Sequence, residues 1–465
     1  MASRDWNALD NFSPPTKRHY CAYLQILDFE EKSQLYFSGH FNLGAKINRA
    51  YEKALLAADK ACAPPAALNI STRFFTNNIV ITAAIGDTPD RALPGILLFC
   101  ALLEKYLQQE DLLVQGALSS GTFAERHASA HSFLSSVALE NAYLLSLGMA
   151  QASGIFLDPS LYGRLDANSE AFVIHQDNGL RVDTARLCRL INEHDGENLT
   201  SNSPAEKHGA PATDNFQRPS KRHYCAFLDI LGYKEKSRKF FAGEFNLSGR
   251  TNRAYDHAFD LLQSVSRYFD TSRSKTQFFS DSIVITAEHR EGGDDELFGI
   301  VQFCASLATF LSYEDLLVRG GISSGLYAEH IIAGQRFISS KALEQAHQLE
   351  STVAKNPRIV IDRSLYDELS GEGKKYIVSE NDQLMIHYVK NFIPNNPDQT
   401  SVYKEMIDIF NSREKETDAR ARAKYTWLLD YYYWTVAQVP RINLAKYQQF
   451  RSDQQRDFSF IIPSR

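Results

Sequence analysis

Two aspartates lie inside apolar, strand-like runs where a lone carboxylate would be costly. Asp229 ends the run that begins at His223, just before a turn at Gly232. Asp281 interrupts a second run, between Phe279 and Ile283. A buried carboxylate is tolerated when it is paired, hydrogen-bonded or bound to metal. If the two strands are neighbours, the pair predicts a site for hard divalent cations, because Mg²⁺ prefers carboxylate and phosphate oxygens.

The chain contains two copies of one domain. Of the 35 positions from Lys17 to Tyr51, 21 are identical to the residue 204 positions later. The same offset holds without a gap over about 145 residues. This long period indicates a duplicated domain rather than a solenoid of short repeats.

The copies differ at the residues that could do chemistry. The replaced pairs, second copy first, are Asp229 and Gln25, Asp281 and Asn77, Arg319 and Gln115, Gly321 and Ala117, and Gly232 and Asp28. Taken alone, Asp229 could be a helix N-cap and Asp281 a turn residue. Their joint replacement by neutral amide side chains favours the metal interpretation. The change to Asp28 is expected to remove a permissive turn residue.

Composition bounds the class of protein. A chain of 465 residues predicts at least two domains. A net charge of −6 gives no basic surface for nucleic acid. The longest apolar run, Leu93 to Leu103, is too short to span a membrane. Six cysteines without a Cys-x-x-Cys pair suggest a reduced, cytoplasmic protein.

Each copy is predicted to be an α+β domain. The pattern is a strand, two helices, a strand-turn-strand unit, a helix, a strand, a helix and a strand. We expect a degenerate domain over 17–165, a partly disordered linker over 166–218, a metal-bearing domain over 219–370 and a helical extension over 371–465. The aromatic stripe Tyr425 to Trp434 is expected to pack against the domains.

Three motifs of the second copy carry a family resemblance. They are Phe-Leu-Asp-Ile-Leu-Gly ending at Gly232, Phe-Ser-Asp-Ser-Ile-Val starting at Phe279, and Val-Arg-Gly-Gly-Ile starting at Val318. Together they resemble the class III nucleotidyl cyclase domain, most of all that of bacterial Pycsar cyclases. The resemblance implies two tandem ferredoxin-like, class III cyclase-type α/β sandwich domains. These would form a pseudo-heterodimer within one chain, with one working site.

The resemblance also implies roles for individual residues. Asp229, Asp281 and the Ile230 backbone would hold two Mg²⁺ (or Mn²⁺) ions, and Arg319 would neutralise phosphate charge. The residues expected to bind substrate are Leu231, Gly232 and Tyr233 in the second copy and Arg73, Phe133 and Asn141 in the first. The backbone amides from Ile230 to Tyr233 would bind phosphate at the turn from strand to helix. Arg73 matches the family's base-reading Lys. The alternative interpretation is that Arg73 is an exposed arginine on a strand without a role toward the base. Phe133 occupies the position of the family's purine-reading acid.

The family carries an Asn-x-x-x-Arg motif on its helix. In this chain Glu140 and Leu144 stand at the positions of that Asn and Arg, and Asn141 lies one residue out of register. These departures favour a pyrimidine substrate. The implied activity is conversion of UTP or CTP to the 3′,5′-cyclic nucleotide (cUMP or cCMP) and pyrophosphate. A separate cyclic-nucleotide effector protein would read the product in antiviral defence.

Two alternatives stay open: an inactive nucleotide-binding regulator and another two-metal nucleotidyltransferase. No membrane or nucleic-acid partner is expected. With both halves of the site in one chain, the protein is expected to be able to act as a monomer.

Overall fold

The structure is a computed structural model that describes most of the chain. The described residues are 12–61, 70–86, 92–128, 131–148, 153–176, 179–187, 189, 218–265, 274–290, 295–332, 334–392, 401–416, 418–437 and 458–460. Most of the predicted linker, 190–217, lies outside these residues.

The first domain is built around a four-stranded antiparallel unit. Its elements are β1 (Arg18–Ile26), helices Phe29–Ser38 and Leu43–Ala61, β2 (Ile70–Phe75), β3 (Asn78–Ala84), helix Ala92–Gln109 and β4 (Val114–Ala128). The strand order β2-β3-β1-β4 is that of a ferredoxin-like βαββαβ unit. β1 is buried on both faces, because the helix Ala92–Gln109 packs on one side and the helix Val137–Gly148 of the same domain packs on the other.

The first sheet then continues beyond this unit. The further elements are β5 (His131–Ser136), helix Val137–Gly148, β6 (Gly154–Leu157), a 3-10 turn Pro159–Arg164, helix Ala167–Glu170, β7 (Val173–Gln176) and β8 (Gly179–Val182). β5 forms a hairpin with β4, and β6 runs parallel to β4. β8 and β7 complete the sheet, so its strands run past the predicted boundary at residue 165.

The second domain repeats this architecture. Its strands are β9 (Arg222–Ile230), β10 (Ser274–Phe279), β11 (Ser282–Glu288), β12 (Val318–Ile332), β13 (Gln335–Ser340), β14 (Ile359–Ile361), β15 (Ile377–Glu380) and β16 (Gln383–Ile386). Its helices are Tyr233–Phe241, Leu247–Val265, Asp295–Tyr313, Lys341–Gln348, Arg363–Glu368 and Gly371–Lys374, with a π-turn at Leu349–Val353 and a 3-10 turn at Tyr388–Phe392.

The duplication extends further than the sequence identities indicate. β7 and β8 recur as β15 and β16 at the same offset of 204 residues, beyond residue 370. Only Leu180 and Leu384 are identical between these strands, which is why the identities fade before the repeat ends.

The C-terminal region forms two helices, Ser401–Glu416 and Ala419–Ala437, and the strand β17 (Phe458–Phe460), which pairs with β15. The aromatic stripe is buried against the second domain, as predicted. Trp427 and Tyr431 are fully buried, Trp427 Nε1 donates to Glu380 Oε1 at 2.9 Å, and the Tyr431 hydroxyl lies 2.7 Å from His387 Nδ1. The predicted fold class, tandem α+β domains with a helical C-terminal region, is confirmed.

The two domains pack against each other through a shared core. Phe75 and Phe279, at equivalent positions, stack with their ring centroids 4.7 Å apart. Ser33 Oγ donates to Glu344 Oε1 at 2.6 Å, and the Tyr36 hydroxyl lies 2.8 Å from His330 Nε2. The chain is therefore a pseudo-heterodimer of its own two halves.

One helix among the described residues, Asp295–Tyr313, is long and apolar enough to cross a membrane. In the structure 83% of its apolar window is buried inside the second domain, which explains its composition. Four cysteines, Cys21, Cys100, Cys225 and Cys304, are buried free thiols.

Candidate active site

Asp229 and Asp281 are brought together by strand pairing. Asp229 lies near the end of β9, opposite Ser282 of β11 on one side and Arg319 of β12 on the other. Asp281 directly precedes Ser282 in the turn between β10 and β11, and its carbonyl accepts a hydrogen bond from the Ile230 amide at 2.8 Å. The two carboxylates therefore lie at the same end of adjacent strands.

The backbone turns beside these aspartates are the same in both copies. Gly232 and Ser280 have left-handed φ angles of 71° and 54°. In the first domain Asp28 and Thr76 occupy the same positions with φ of 53° and 49°. Asp28 lacks the freedom of glycine but still forms this turn, because aspartate adopts the left-handed region at modest cost. The first domain has lost the charges but kept the backbone.

Arg319 links Asp229 to a third carboxylate that the sequence analysis missed. Its Nε donates to Asp229 Oδ2 at 3.1 Å and lies 2.6 Å from Oε1 of Glu350. The single Nε hydrogen points at Asp229, so Glu350 Oε1 is in ion-pair contact but receives no hydrogen bond. The Glu350 side chain is only 4% exposed. A signal for it was present, since the first copy replaces it with Ser146.

The acidic groups disfavour one another's charge. Burial, and then the neighbouring Asp229, raise the pKa of Asp281 to about 7. Burial also raises the pKa of Asp229, against the opposing effect of Arg319. The pKa of Glu350 is raised to about 7 by burial and by Asp229. Burial lowers the pKa of His347, so its imidazole is neutral at pH 7. Such mutual repulsion is what a bound cation relieves.

The first domain contributes to the same site. Tyr143, on the helix Val137–Gly148, packs edge-on against Tyr23 with the ring centroids 5.2 Å apart. Burial, and then the charges of Asp281 and Asp229, raise the pKa of Tyr143. From the same helix, Glu140 Oε1 lies 3.7 Å from Lys234 Nζ of the second domain. The site is therefore composite, and Tyr143 is a further member that sequence reasoning missed.

The C-terminal helix places a lysine beside the carboxylates. Lys424 lowers the pKa of Asp229, after the larger effect of Arg319. The adjacent Tyr425 hydroxyl donates to Asp315 Oδ1 at 3.4 Å, which anchors this end of the helix just before β12. Lys424 lies one helical turn from the buried Trp427 and so shares its inward face. The aromatic pattern of this helix predicted its packing but gave no indication that Lys424 lies at the site.

The expected phosphate-binding turn is narrower than the sequence suggested. The amides of Ile230 and Leu231 donate to the Asp281 and Leu317 carbonyls, both at 2.8 Å. This leaves the amides of Gly232 and Tyr233, where the helix Tyr233–Phe241 begins. The Tyr233 side chain points into the domain interface, and its hydroxyl donates to the Leu134 carbonyl at 3.4 Å. Gly232, not Asp229, is the N-cap of this helix.

The three first-domain residues expected to read the base lie in different local environments. Arg73 of β2 forms an ion pair with Glu125 of β4, within its own domain. Phe133 pairs with Arg126 between β5 and β4, and its side chain lies outside the described part of the chain. Asn141 is exposed on the helix that carries Tyr143. Their roles toward a base stay predictions.

The side chains present suit a divalent cation that takes only a few ligands from the protein and the others from water and substrate. No group of three His, Cys, Asp or Glu side chains arranged to hold a metal occurs among the described residues. Asp229 and Asp281 nevertheless offer two half-buried carboxylates, with the Ile230 backbone beside them. Mg²⁺ commonly binds through one or two carboxylates, with water and substrate phosphate completing its shell. The donor set therefore fits Mg²⁺ or Mn²⁺ bound together with a nucleotide.

Comparison with known proteins gives structural neighbours only. No protein-family model and no curated protein matches the chain. A class III adenylyl cyclase-like ATP-binding protein from Pseudomonas aeruginosa is 9% identical, with 80% of this chain and 88% of that one covered and a TM-score of 0.47. The adenylyl cyclase CyaB from P. aeruginosa is 16% identical, with 36% and 92% covered and a TM-score of 0.28.

A bacterial light-regulated adenylyl cyclase is 13% identical, with 40% of this chain and 98% of that one covered and a TM-score of 0.27. At these TM-scores the likeness adds nothing to the fold, which the strand order of the chain itself establishes.

Proposed function

We propose that the protein is a nucleotidyl cyclase that converts a nucleoside triphosphate to a 3′,5′-cyclic nucleotide and pyrophosphate at one composite site. One observation carries the proposal. Asp229 and Asp281 lie together, half-buried, at adjacent strand ends, they face Tyr143 of the other domain, and the first copy keeps their backbone while replacing both with amides.

The residues divide the work of cyclisation between them. The reaction forms a bond from the ribose 3′ oxygen to the α-phosphorus, breaks the bond to the β-phosphate oxygen and releases the hydroxyl proton. Asp229, Asp281 and the Ile230 backbone would hold Mg²⁺ or Mn²⁺, two ions in our proposal. Bound metal supplies charge neutralisation and a lower pKa for the attacking hydroxyl.

The second domain and the C-terminal helix bring the groups that meet the triphosphate. The Gly232 and Tyr233 amides bind phosphate oxygens at a helix N-terminus. Arg319, once released from Asp229, and Lys424 neutralise the charge that grows on the pyrophosphate. Leu231 packs beneath this turn and fixes its position.

We propose that the substrate is UTP or CTP. Phe133 replaces an acidic purine reader, Asn141 is out of register, and the three second-copy motifs resemble those of pyrimidine cyclases. Tyr143 and Leu144 offer an apolar wall, since they are 42% and 43% exposed. Arg73 would read the base from the first domain.

The product, cUMP or cCMP, would be a signal read by a separate effector protein in antiviral defence. The protein would act in the cytoplasm, and a single chain supplies both halves of the site. These assignments rest on the motif resemblance.

A nucleotide-binding regulator without turnover is the second candidate. The Arg319–Asp229 ion pair favours it, because it neutralises a metal ligand inside the protein. Glu140 and Leu144 in place of the family's Asn and Arg point the same way.

The test incubates the purified protein with each of the four nucleoside triphosphates and Mg²⁺ or Mn²⁺, with Asp229→Asn as the matched variant. Mass spectrometry identifies the products. A cyclic pyrimidine mononucleotide that is lost in the variant supports the proposal, and a cyclic purine corrects the base. Two nucleotides joined by a 3′–5′ linkage indicate a nucleotidyltransferase. Nucleotide binding without any product, also after addition of infected-cell lysate, supports the regulator.

A further inference from the structure

We propose that Glu350 is a positioning residue that takes the Arg319 guanidinium from Asp229 when a divalent cation binds. The inference rests on the metal site of the proposed function and deepens it. It assigns to Glu350 the control of cation affinity.

Arg319 stands between two carboxylates that compete for it. Its Nε is 2.6 Å from Glu350 Oε1 and 3.1 Å from Asp229 Oδ2, and its hydrogen bond goes to Asp229. Glu350 Oε1 is buried and receives no hydrogen bond. A small rotation of the guanidinium would transfer the hydrogen bond from Asp229 to Glu350, so both arrangements are within reach.

The close approach of Glu350 is built into the second domain by Gly321 of β12. A Cβ at this position would lie 2.2 Å from the Ala346 carbonyl oxygen and 2.6 Å from the Leu349 Cβ. Glycine thus lets the end of the helix Lys341–Gln348 approach the sheet. The π-turn Leu349–Val353 follows directly and carries Glu350. Turns of this kind are frequent at functional sites.

The first domain lacks every part of this arrangement. Ala117 replaces Gly321, Ser146 replaces Glu350 and Gln115 replaces Arg319. Gln115 Nε2 instead donates to the Ser146 carbonyl at 2.8 Å. The second carboxylate and the guanidinium are therefore absent from the copy that lacks the metal aspartates.

Electrostatics gives the exchange its direction. A cation on Asp229 repels the guanidinium, which would then be a partly buried charge without a partner, and removing one partner of such a pair is destabilising. Glu350 supplies that partner. The other charged groups near Asp229 are Lys424, which repels Arg319, and Asp281, to which Arg319 donates no hydrogen bond among the described residues. Without Glu350, Arg319 stays on Asp229 and competes with the cation.

The test measures Mn²⁺ binding to the full chain without nucleotide, by the electron paramagnetic resonance signal of free Mn²⁺. Glu350→Gln should bind Mn²⁺ about tenfold more weakly, as outer-shell changes do. The control Glu314→Gln alters a matched buried carboxylate, which pairs with Arg253 at 2.8 Å, and should bind as the wild type does. Adding Arg319→Gln to Glu350→Gln should restore wild-type affinity or better.

Wild-type affinity in Glu350→Gln, or a double variant as weak as that single variant, would overturn the proposal. Thermal unfolding accompanies each titration. If Glu350→Gln does not fold, Gly321→Ala takes its place, with Ala117→Gly as its counterpart in the first domain. The proposal is supported if Gly321→Ala binds Mn²⁺ more weakly than the wild type while Ala117→Gly binds it equally well. It is overturned if the two variants bind Mn²⁺ with the same affinity. Because no nucleotide is present, failure of the cyclase proposal would show separately, as missing product.

Discussion

Asp229 and Arg319 face each other directly across β9 and β12, and the Arg319 Nε donates to the Asp229 carboxylate at 3.1 Å. In the first domain the same register pairs Gln25 with Gln115. The chain thus contains a charged and a neutral version of one contact. Buried ion pairs are weak sources of stability, so a charged version in only one copy indicates a role in function.

Exchanging this pair and Glu350 for their neutral counterparts should separate function from folding. In Asp229→Gln/Arg319→Gln/Glu350→Ser we expect the free energy of unfolding to change little, because Gln25, Gln115 and Ser146 occupy these positions in the first domain. Cyclase activity should fall by at least about 100-fold, since a metal ligand supplies several kcal/mol to the transition state. Urea unfolding and product formation are the measurements. Full activity in this variant would remove Asp229 from the mechanism.

Asp281 should make the cation-free protein less stable as pH rises. Its pKa is about 7 in the folded state, above its ordinary value of 3.8. Between these values the folded protein holds a proton that the unfolded chain has released, so stability falls with rising pH up to about 7.

Asn at position 281 does not titrate, so Asp281→Asn should not lose stability in this way. The free energy of unfolding of the variant, relative to that of the wild type, should rise by about 2 kcal/mol between about pH 5.5 and about pH 8. Urea unfolding in a chelator tests this, and added Mg²⁺ should narrow the gap. Parallel stability profiles for the two proteins would contradict the assignment.

Tyr143 should contribute to nucleotide binding from across the domain interface. Its ring is 42% exposed beside the carboxylates. Removing an aromatic platform costs about 1–3 kcal/mol per stacked base, so Tyr143→Ala should weaken nucleotide binding by about tenfold or more. Tyr143→Phe should keep most of the affinity.

The matched control is Leu147→Ala, which removes an exposed apolar side chain from the same helix. Isothermal titration with a non-hydrolysable nucleotide reports the affinity. Equal losses in Tyr143→Ala and Leu147→Ala would point to a general effect on the helix instead.

Lys424 should connect the C-terminal helix to the triphosphate. Lys424→Met should raise the KM for the nucleotide by about tenfold, the scale of one hydrogen bond to a charged group. Its effect on Mn²⁺ binding without nucleotide should be small. Lys415→Met, an exposed lysine on the preceding helix, is the control. An unchanged KM in Lys424→Met would leave the helix with a packing role only.

Most of the architecture could be predicted from the sequence. The repeat showed where both domains lie, and apolar runs rich in β-forming residues indicated strands such as β1, β3, β9 and β11. The extent of the repeat was less accessible, because β7 and β8 share only Leu180 with the equivalent strands β15 and β16, where Leu384 stands. The aromatic stripe around Trp427 was correctly expected to be buried, since large apolar side chains at helical spacing pack inward.

The candidate site was only partly visible in the sequence. Asp229, Asp281 and Arg319 stood out because the other copy replaces them together. Glu350 did not, although Ser146 replaces it in the same way, because a glutamate at the end of a helix ordinarily lies in solvent. The phosphate-binding turn was overestimated, since the Ile230 and Leu231 amides are used by neighbouring strands.

The sequence by itself determined the duplication, the strand and helix types and the loss of charge from one copy, because these depend on local pattern and on comparison of the two halves. Only the tertiary structure decided which groups surround Asp229. Tyr143, Glu350 and Lys424 come from another domain, a π-turn and a distant helix. Their approach depends on strand register, on the space left by Gly321 and on packing between elements, which no local pattern records.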